Sequence, residues 1–193
     1  MPPPLILAST SAARRTQLER LGLTVECIAP PVDESAWKTK RWPVRTVARR
    51  LAEAKAKAVS ERRPDAVVIG GDQIASLDGE PFDKPGSFEV ARNHLRRLAG
   101  RQHELATGVA LAHPGGFLSH VEIVELTMRP LTDAEIEAYL AADEPFECAG
   151  CYRWERRGPM LFNSICTNDP SAILGLPLLW LTAALRNLGY PMP

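Results

Sequence analysis

Long hydrophobic runs are absent from this 193-residue chain, and so is any surplus of charge of one sign. No stretch approaches the roughly 18 apolar residues that a membrane-spanning helix needs, so no segment of that kind is expected. Lys and Arg together number 23 and Asp and Glu together number 23, which leaves no overall positive field to hold a polyanion such as duplex DNA. There are only four cysteines, Cys27, Cys148, Cys151 and Cys166, and only four scattered histidines, His94, His103, His113 and His120, which form no ligand pattern. The start, Met1-Pro-Pro-Pro-Leu-Ile-Leu-Ala, has no basic n-region and only four apolar residues in a row, so neither signal peptide nor anchor is expected. Cytoplasmic residence with free thiols follows from that expectation. Cys148-Ala-Gly-Cys151 is a single C-x-x-C with no second pair, a weak zinc or redox signal.

What is present is an α/β composition, 45% hydrophobic and 24% charged, that fits one globular domain over 1–193. A chain of this length buries roughly 70% of its unfolded surface and needs neither disulfide nor structural metal to fold. The charge balance is local. Arg14, Arg15 and the run from Arg41 to Arg50 are basic, while Asp33, Glu34, Asp72, Asp78 and Glu80 supply carboxylates, a distribution suited to a small, multiply charged substrate.

Leu5 to Ala8 reads as a short strand, Ser9-Thr-Ser11 as a polar turn, and Arg14 to Leu21 as a helix. Such a turn aims backbone amides and hydroxyls outward at a helix N-terminus, where anions are favoured. Val25 to Ile28 predicts a second strand, and Pro30 to Ser35 an irregular loop carrying Asp33 and Glu34. Val44 to Ser60 is strongly helical, with Val47, Leu51, Ala54 and Ala58 read as the apolar stripe and Arg or Lys on the other face. Ala66 to Ser76 is the most strand-like stretch, an apolar run interrupted by Asp72. Asp78-Gly79 marks a tight turn, Phe82 to Pro85 a loop, and Glu89 to Leu98 a helix closed by Gly100. His103 to Ala112 and Phe117 to Met128 form a hairpin. Thr132-Asp-Ala-Glu135 is a capping box opening a helix through Ala142. Cys148 to Tyr152 and Met160 to Ile165 read as strands, and the last helix runs from about Pro170 to Leu188, broken or bent near Gly175 to Pro177.

The chemistry centres on carboxylates. Glu34, Asp72 and Asp83 could converge on a divalent cation by oxygen ligation. Hydrolysis at a phosphorus centre needs a metal and cations to neutralise an anionic transition state while a base orients water. Asp72 is the best candidate base, because an aspartate inside an apolar strand costs several kcal/mol of desolvation unless something compensates it. Ser9, Ser11, Arg14 and Arg15 could make an anion site or only a helix cap, and Lys55 and Lys84 read by themselves as surface lysines.

Eight stretches together resemble the Maf family from Leu5 to Leu188: Leu7-Ala-Ser-Thr-Ser-Ala-Ala-Arg-Arg15, Val32-Asp-Glu34, Leu51-Ala-Glu-Ala-Lys-Ala56, Gly70-Gly-Asp-Gln73, Lys84-Pro85, Thr107-Gly108, Ala149-Gly150 and Gly175-Leu-Pro177, in that order. The resemblance implies an α/β fold similar to the inosine-triphosphate pyrophosphatases, a mixed twisted sheet with flanking helices forming two lobes around a cleft. It implies metal-dependent cleavage of a nucleoside triphosphate to the monophosphate and pyrophosphate. Asp72 would be the proton acceptor, Glu34 and Asp72 would bind magnesium or manganese, and Ser9, Arg14, Arg15, Lys55 and Lys84 would grip the phosphates.

Gln73 and Glu155 resemble the 7-methyl-GTP branch of that family, where the dTTP/UTP branch has threonine and glutamine. A carboxylate can accept both edge hydrogens of guanine and favours a base bearing positive charge. Ala13 departs from this branch, which typically has a tryptophan there to stack on the cationic base. Asp83 replaces the glycine that usually precedes Lys-Pro. Two other readings are a dTTP/UTP pyrophosphatase and a non-catalytic nucleotide-binding regulator of division, since Maf proteins are associated with inhibition of septum formation. Homodimers are common among clefted enzymes of this kind. No nucleic-acid or membrane partner is expected.

Overall fold

The structure is a computed structural model and describes residues 2–38 and 42–192; Met1 and Arg41, named above, lie outside them. Its elements are β1 (Leu5–Ala8), α1 (Ala12–Arg20), β2 (Glu26–Cys27), α2 (Ser35–Lys38), α3 (Val44–Ser60), β3 (Val67–Leu77), β4 (Glu80–Phe82), α4 (Phe88–Leu98), β5 (Gln102–His113), β6 (Gly116–Met128), α5 (Asp133–Asp143), β7 (Phe162–Cys166) and α6 (Leu178–Asn187). The strands form a seven-stranded sheet in the order β2-β1-β3-β5-β6-β7, with β4 paired to β3. β1 runs parallel to both β2 and β3, and the β3–β4 and β6–β7 pairs are antiparallel, so the sheet is mixed and carries helices, as the sequence led us to expect. The chain divides into two compact units: Met1–Asp72, Thr107–Glu122 and Asp169–Pro193 make the first, Gln73–Ala106 and Ile123–Asn168 the second.

In the first unit, period-2 alternation sorts the strands into two faces. Leu5, Leu7, Val67, Ile69, Val109 and Leu111 pack with Leu18 of α1 and with Leu181, Ala184 and Leu185 of α6. Ile6, Ala8, Ala66, Val68, Ala110 and Ala112 pack with Ala52, Ala56 and Val59 of α3. The α3 face is small, and glycine continues it. A Cβ on Gly70 would fall 2.1 Å from the Ala52 carbonyl oxygen, and one on Gly108 2.3 Å from that of Ala48. The helix backbone thus rests on two bare strand positions, which no side chain would permit.

Helix α3 has the expected bounds but a different buried stripe. Val44, Val47, Ala48, Leu51, Ala52, Lys55, Ala56 and Val59 are buried, whereas Ala54 and Ala58 are only half-buried. Lys55 therefore belongs to the inner face and is not a surface lysine. The last helical region is broken rather than bent: a 3-10 turn over Pro170–Leu174 stops at Gly175, whose φ is 112°, and α6 starts afresh at Leu178.

In the second unit, α4 packs on α5, with Ser87 capping α4 and surface ion pairs joining Arg96 to Asp133 and Arg92 to Glu137. Asp78 and Gly79 both take positive φ, the turn that closes the β3–β4 hairpin. Cys148 to Tyr152 is not a strand, contrary to the sequence reading. Residues 149–151 form a 3-10 turn in which Gly150 (φ 74°) and Cys151 (φ 61°) are both left-handed, and two such residues in succession cannot lie in a ladder. Residues 154–157, which include Glu155, form a turn.

The capping box of α5 is complete: the Glu135 N–H donates to Thr132 Oγ1 and the Thr132 N–H donates to Glu135 Oε2. The Thr132 N–H, then Arg129 and the Thr132 hydroxyl hold Glu135 at about 2. Because that lies below the usual 4.5, the stability Glu135 contributes is present above pH 4.5 and is lost as pH falls toward 2. Thr132→Ala should cost about 1 kcal/mol, read as a melting temperature lower by about 2–4 °C, and should weaken that acid-side dependence.

Candidate active site

Asp72 lies at the last position of the first unit's part of β3, on the strand face that carries Val68 and Gly70, and this aims its carboxylate at α3. Lys55, one turn along from Leu51 on the inner stripe of α3, meets it there. Lys55 Nζ is 2.7 Å from Asp72 Oδ1 and 2.6 Å from Glu34 Oε1, so one ammonium bridges both carboxylates. Asp72 and Lys55 are only 7% and 5% exposed, whereas the Glu34 side chain is 43% exposed. The loop bearing Glu34 is shaped by its neighbour: Asp33 Oδ1 accepts from the Ser35 N–H at 3.0 Å and from its hydroxyl at 2.6 Å.

Gly71, next to Asp72, points to the opposite face, and Arg14 lies across it. A Cβ at Gly71 would be 3.1 Å from Arg14 Nε. The guanidinium donates from Nε to the Gly175 carbonyl at 3.0 Å and from Nη1 to Ser9 Oγ at 3.3 Å. Ser9 Oγ also accepts from the Ser11 N–H at 3.1 Å, and Ser11 caps α1 through the Arg14 N–H. The strand–turn–helix entry thus holds a buried hydroxyl and a guanidinium together at the N-terminus of α1.

Burial raises the Asp72 carboxyl above the ordinary carboxylate range; Lys55 and Arg14 oppose this, and Glu34 adds to it. Burial likewise lowers Arg14, against the pull of Asp72 and Glu34. A carboxylate held high beside two cations is suited to accept a proton from water, and the cations are suited to phosphate oxygens. The described residues contain no cluster of three or more His, Cys, Asp or Glu side chains that could hold a metal by themselves. Two carboxylates reaching one cation do fit a hard divalent ion such as magnesium, which takes one or two carboxylates and completes its shell with water and substrate phosphates.

The first unit brings together Ser9, Arg14, Glu34, Lys55 and Asp72. Arg15 is not in that group. One residue further round α1 it is exposed and pairs with Glu19 at 2.7 Å. Ala13 is half-buried on the same helix. The remaining positions lie in the second unit. Gln73 is half-buried on β3, Lys84 is exposed with Glu147 at 3.9 Å, and Asp83 precedes it. Glu155 is exposed in the turn where Trp154 packs on Phe162, ring centres 5.7 Å apart. Cys148 and Cys151 are free thiols; burial pushes Cys151 up to about 12, so it is protonated and inert at neutral pH, 3.3 Å from His94 Nδ1. Buried Gln17 and Asp169, which both bond to Ser171, carry no signal in the sequence by themselves.

The model of the family described as Maf-like protein matches residues 4–188. The chain belongs to the Maf-like family. It is 45% identical to the 7-methyl-GTP pyrophosphatase of Xanthomonas campestris pv. campestris (strain 8004) over 194 aligned positions that cover 100% of both chains. It is 47% identical to the 7-methyl-GTP pyrophosphatase of Bordetella pertussis (strain Tohama I) over 190 positions, 98% of this chain and 94% of that one. Among solved structures, the Staphylococcus aureus Ham1 protein aligns with a TM-score of 0.50 and 14% identity, covering 95% of this chain and 98% of its own, a likeness of fold alone. The Maf-like chain has no helix long and apolar enough to cross a membrane among its described residues.

Proposed function

We propose that this chain hydrolyses a nucleoside triphosphate, 7-methyl-GTP, to the nucleoside monophosphate and pyrophosphate, with both compact units serving as one functional domain. The observation that carries the reading is the buried, proton-avid Asp72 set beside Lys55, Arg14 and Glu34. Asp72 takes a proton from water as the water oxygen bonds to the α-phosphorus, and the bond from that phosphorus to the α,β-bridging oxygen breaks, releasing pyrophosphate. Ser9 already accepts two hydrogen bonds, so its hydroxyl hydrogen is what it offers a phosphate oxygen. Arg14 and Lys55 supply positive charge against the phosphates, and we assign Arg15 and Lys84 to the same task. Glu34 and Asp72 would hold magnesium or manganese, which when bound would neutralise phosphate charge. A cytoplasmic setting suits a nucleotide substrate.

Base choice is assigned to Gln73, Glu155 and Ala13. The names of the relatives at 45% and 47% identity support the purine reading, and so does a carboxylate at 155. Ala13 offers no ring to stack on a cationic base, which makes Glu155 the more decisive of the three.

The test is pyrophosphate release from 7-methyl-GTP, GTP, UTP, dTTP and CTP with magnesium or manganese. The expected result is selective turnover of 7-methyl-GTP. Glu155→Gln should lower kcat/KM for that substrate about tenfold or more, the value of a hydrogen bond to a charged group, with little change for UTP. Faster turnover of UTP or dTTP would overturn the base assignment, and no turnover of any triphosphate would overturn the enzyme assignment.

A further inference from the structure

Arg14 is held from outside its own helix. Its Nε donates to the carbonyl of Gly175, 161 positions along the chain. Gly175 sits between a 3-10 turn and α6, where no ladder or α-helical bond fixes a carbonyl, so side chains must. Asp169, 4% exposed, accepts from the Ser171 N–H at 3.0 Å, from the Ser171 hydroxyl, and from the Leu179 N–H at 2.7 Å. The Ser171 oxygen accepts from the Leu178 N–H at 2.7 Å, and Thr107 Oγ1 donates to the Ala172 carbonyl at 3.0 Å. These bonds tie 169–179 into a closed ring around Gly175.

Gln17 joins that ring to α1. It lies three residues after Arg14, hence on the same side of the helix, and is 3% exposed. Its Nε2 donates to the Ser171 carbonyl at 2.8 Å and to the Leu176 carbonyl at 3.2 Å, one before and one just after Gly175. Its Oε1 has no hydrogen-bond partner among the described residues, an unfavourable placement for a buried amide whose only bonds are those two. The guanidinium has little room to choose another pose: a Cβ on Gly71 or on Gly175 would come within 3.1 Å of it.

We infer that Gln17 is a positioning residue for Arg14: by pinning the Ser171 and Leu176 carbonyls it holds the Gly175 carbonyl where it fixes the guanidinium for a phosphate chain. This rests on the phosphate-binding role proposed above for Arg14. Gln17 is buried with its amide committed to the Ser171 and Leu176 carbonyls, so its effect passes through Arg14.

The experiment is a double-mutant cycle on the full chain with Gln17→Leu, Arg14→Ala and the pair, using inorganic tripolyphosphate as the calorimetric probe and nucleotide turnover as the second readout. Gln17→Leu is expected to weaken tripolyphosphate binding about tenfold when Arg14 is present and less than about twofold when it is alanine, because residues that share one network are not additive. KM should rise by the same factor with kcat nearly kept, the signature of lost uniform binding. Melting temperature should fall equally in both backgrounds. If Gln17→Leu does not fold, Thr107→Val removes the bond to Ala172 and takes its place. Equal losses in both backgrounds, or no loss with Arg14 present, overturn the inference, and so does an Arg14→Ala variant that binds tripolyphosphate normally. Coupled binding without nucleotide turnover would leave the inference standing and overturn the hydrolase reading instead.

Discussion

Asp72→Asn should lower kcat for triphosphate hydrolysis by about a thousandfold while the protein remains folded, because a positioned general base contributes about 10²–10⁴. Asparagine keeps the shape of the side chain, and Lys55 keeps Glu34 at 2.6 Å, so the change removes a proton acceptor rather than a packing unit. A protein that only bound nucleotide would lose nothing comparable. Stability should move the other way. Burial raises the Asp72 pKa, so the folded state holds this proton more tightly than the unfolded state does. The stability Asp72 contributes is therefore fully present below its ordinary value of 3.8 and is lost as pH rises through the raised one. At neutral pH the ionised group is a liability that a neutral asparagine avoids. In metal-free buffer the melting temperature of Asp72→Asn should equal or exceed that of the unsubstituted chain. Residual turnover within tenfold of normal would remove Asp72 from the role of base.

Gly70→Ala should be a severely damaging single-methyl change. The added Cβ would stand 2.1 Å from the Ala52 carbonyl oxygen and 2.7 Å from the Ala56 amide nitrogen, both backbone atoms that cannot rotate away. The helix must lift from the sheet. Overpacking of this kind costs about 1–3 kcal/mol, and the upper end is expected here, read as a melting temperature lower by about 6–12 °C. Ala52 and Ala56 flank Lys55 on the same turn of α3, so the lift also carries Nζ away from Asp72 and Glu34. A misplacement of about 1 Å can cost about a hundredfold in rate, so turnover should fall by about that much even in the folded fraction. Gly22→Ala is the control. No atom lies within 4 Å of its added Cβ, so although its φ of +75° costs stability, turnover by the folded protein should persist. Equal rates for the two variants would show that the close seat of α3 does not place Lys55.

The parts of this structure set by neighbours in sequence were legible. β1, the Ser-Thr-Ser turn and α1 followed from an apolar run and a cap; α3 came out with its bounds at Val44 and Ser60; the Asp78-Gly79 turn and the Thr132–Glu135 box were written in single residues. Asp72 was conspicuous because a carboxylate in a buried strand has a physical cost. The face of α3 was not legible. Alanines occur all round it, and only the glycines on β3 and β5 decide that the stripe runs through Lys55 rather than through Ala54 and Ala58. Arg14 and Arg15 could not be told apart either, since one residue turns a helix by about 100° and only packing says which arginine faces in. Cys148 to Tyr152 failed as a strand because two left-handed residues are invisible to a hydrophobic pattern. The ring of Gln17, Asp169 and Ser171 joins segments more than 150 positions apart, and no local signal reports such bonds.

The most direct measurement is hydrolysis of 7-methyl-GTP in ¹⁸O-labelled water with magnesium, followed by mass analysis of the products. A base at Asp72 directing water at the α-phosphorus places the label in the nucleoside monophosphate and leaves the pyrophosphate unlabelled. Label in orthophosphate beside a nucleoside diphosphate, or label in the pyrophosphate, would contradict attack at that phosphorus and with it the reaction assigned to this site.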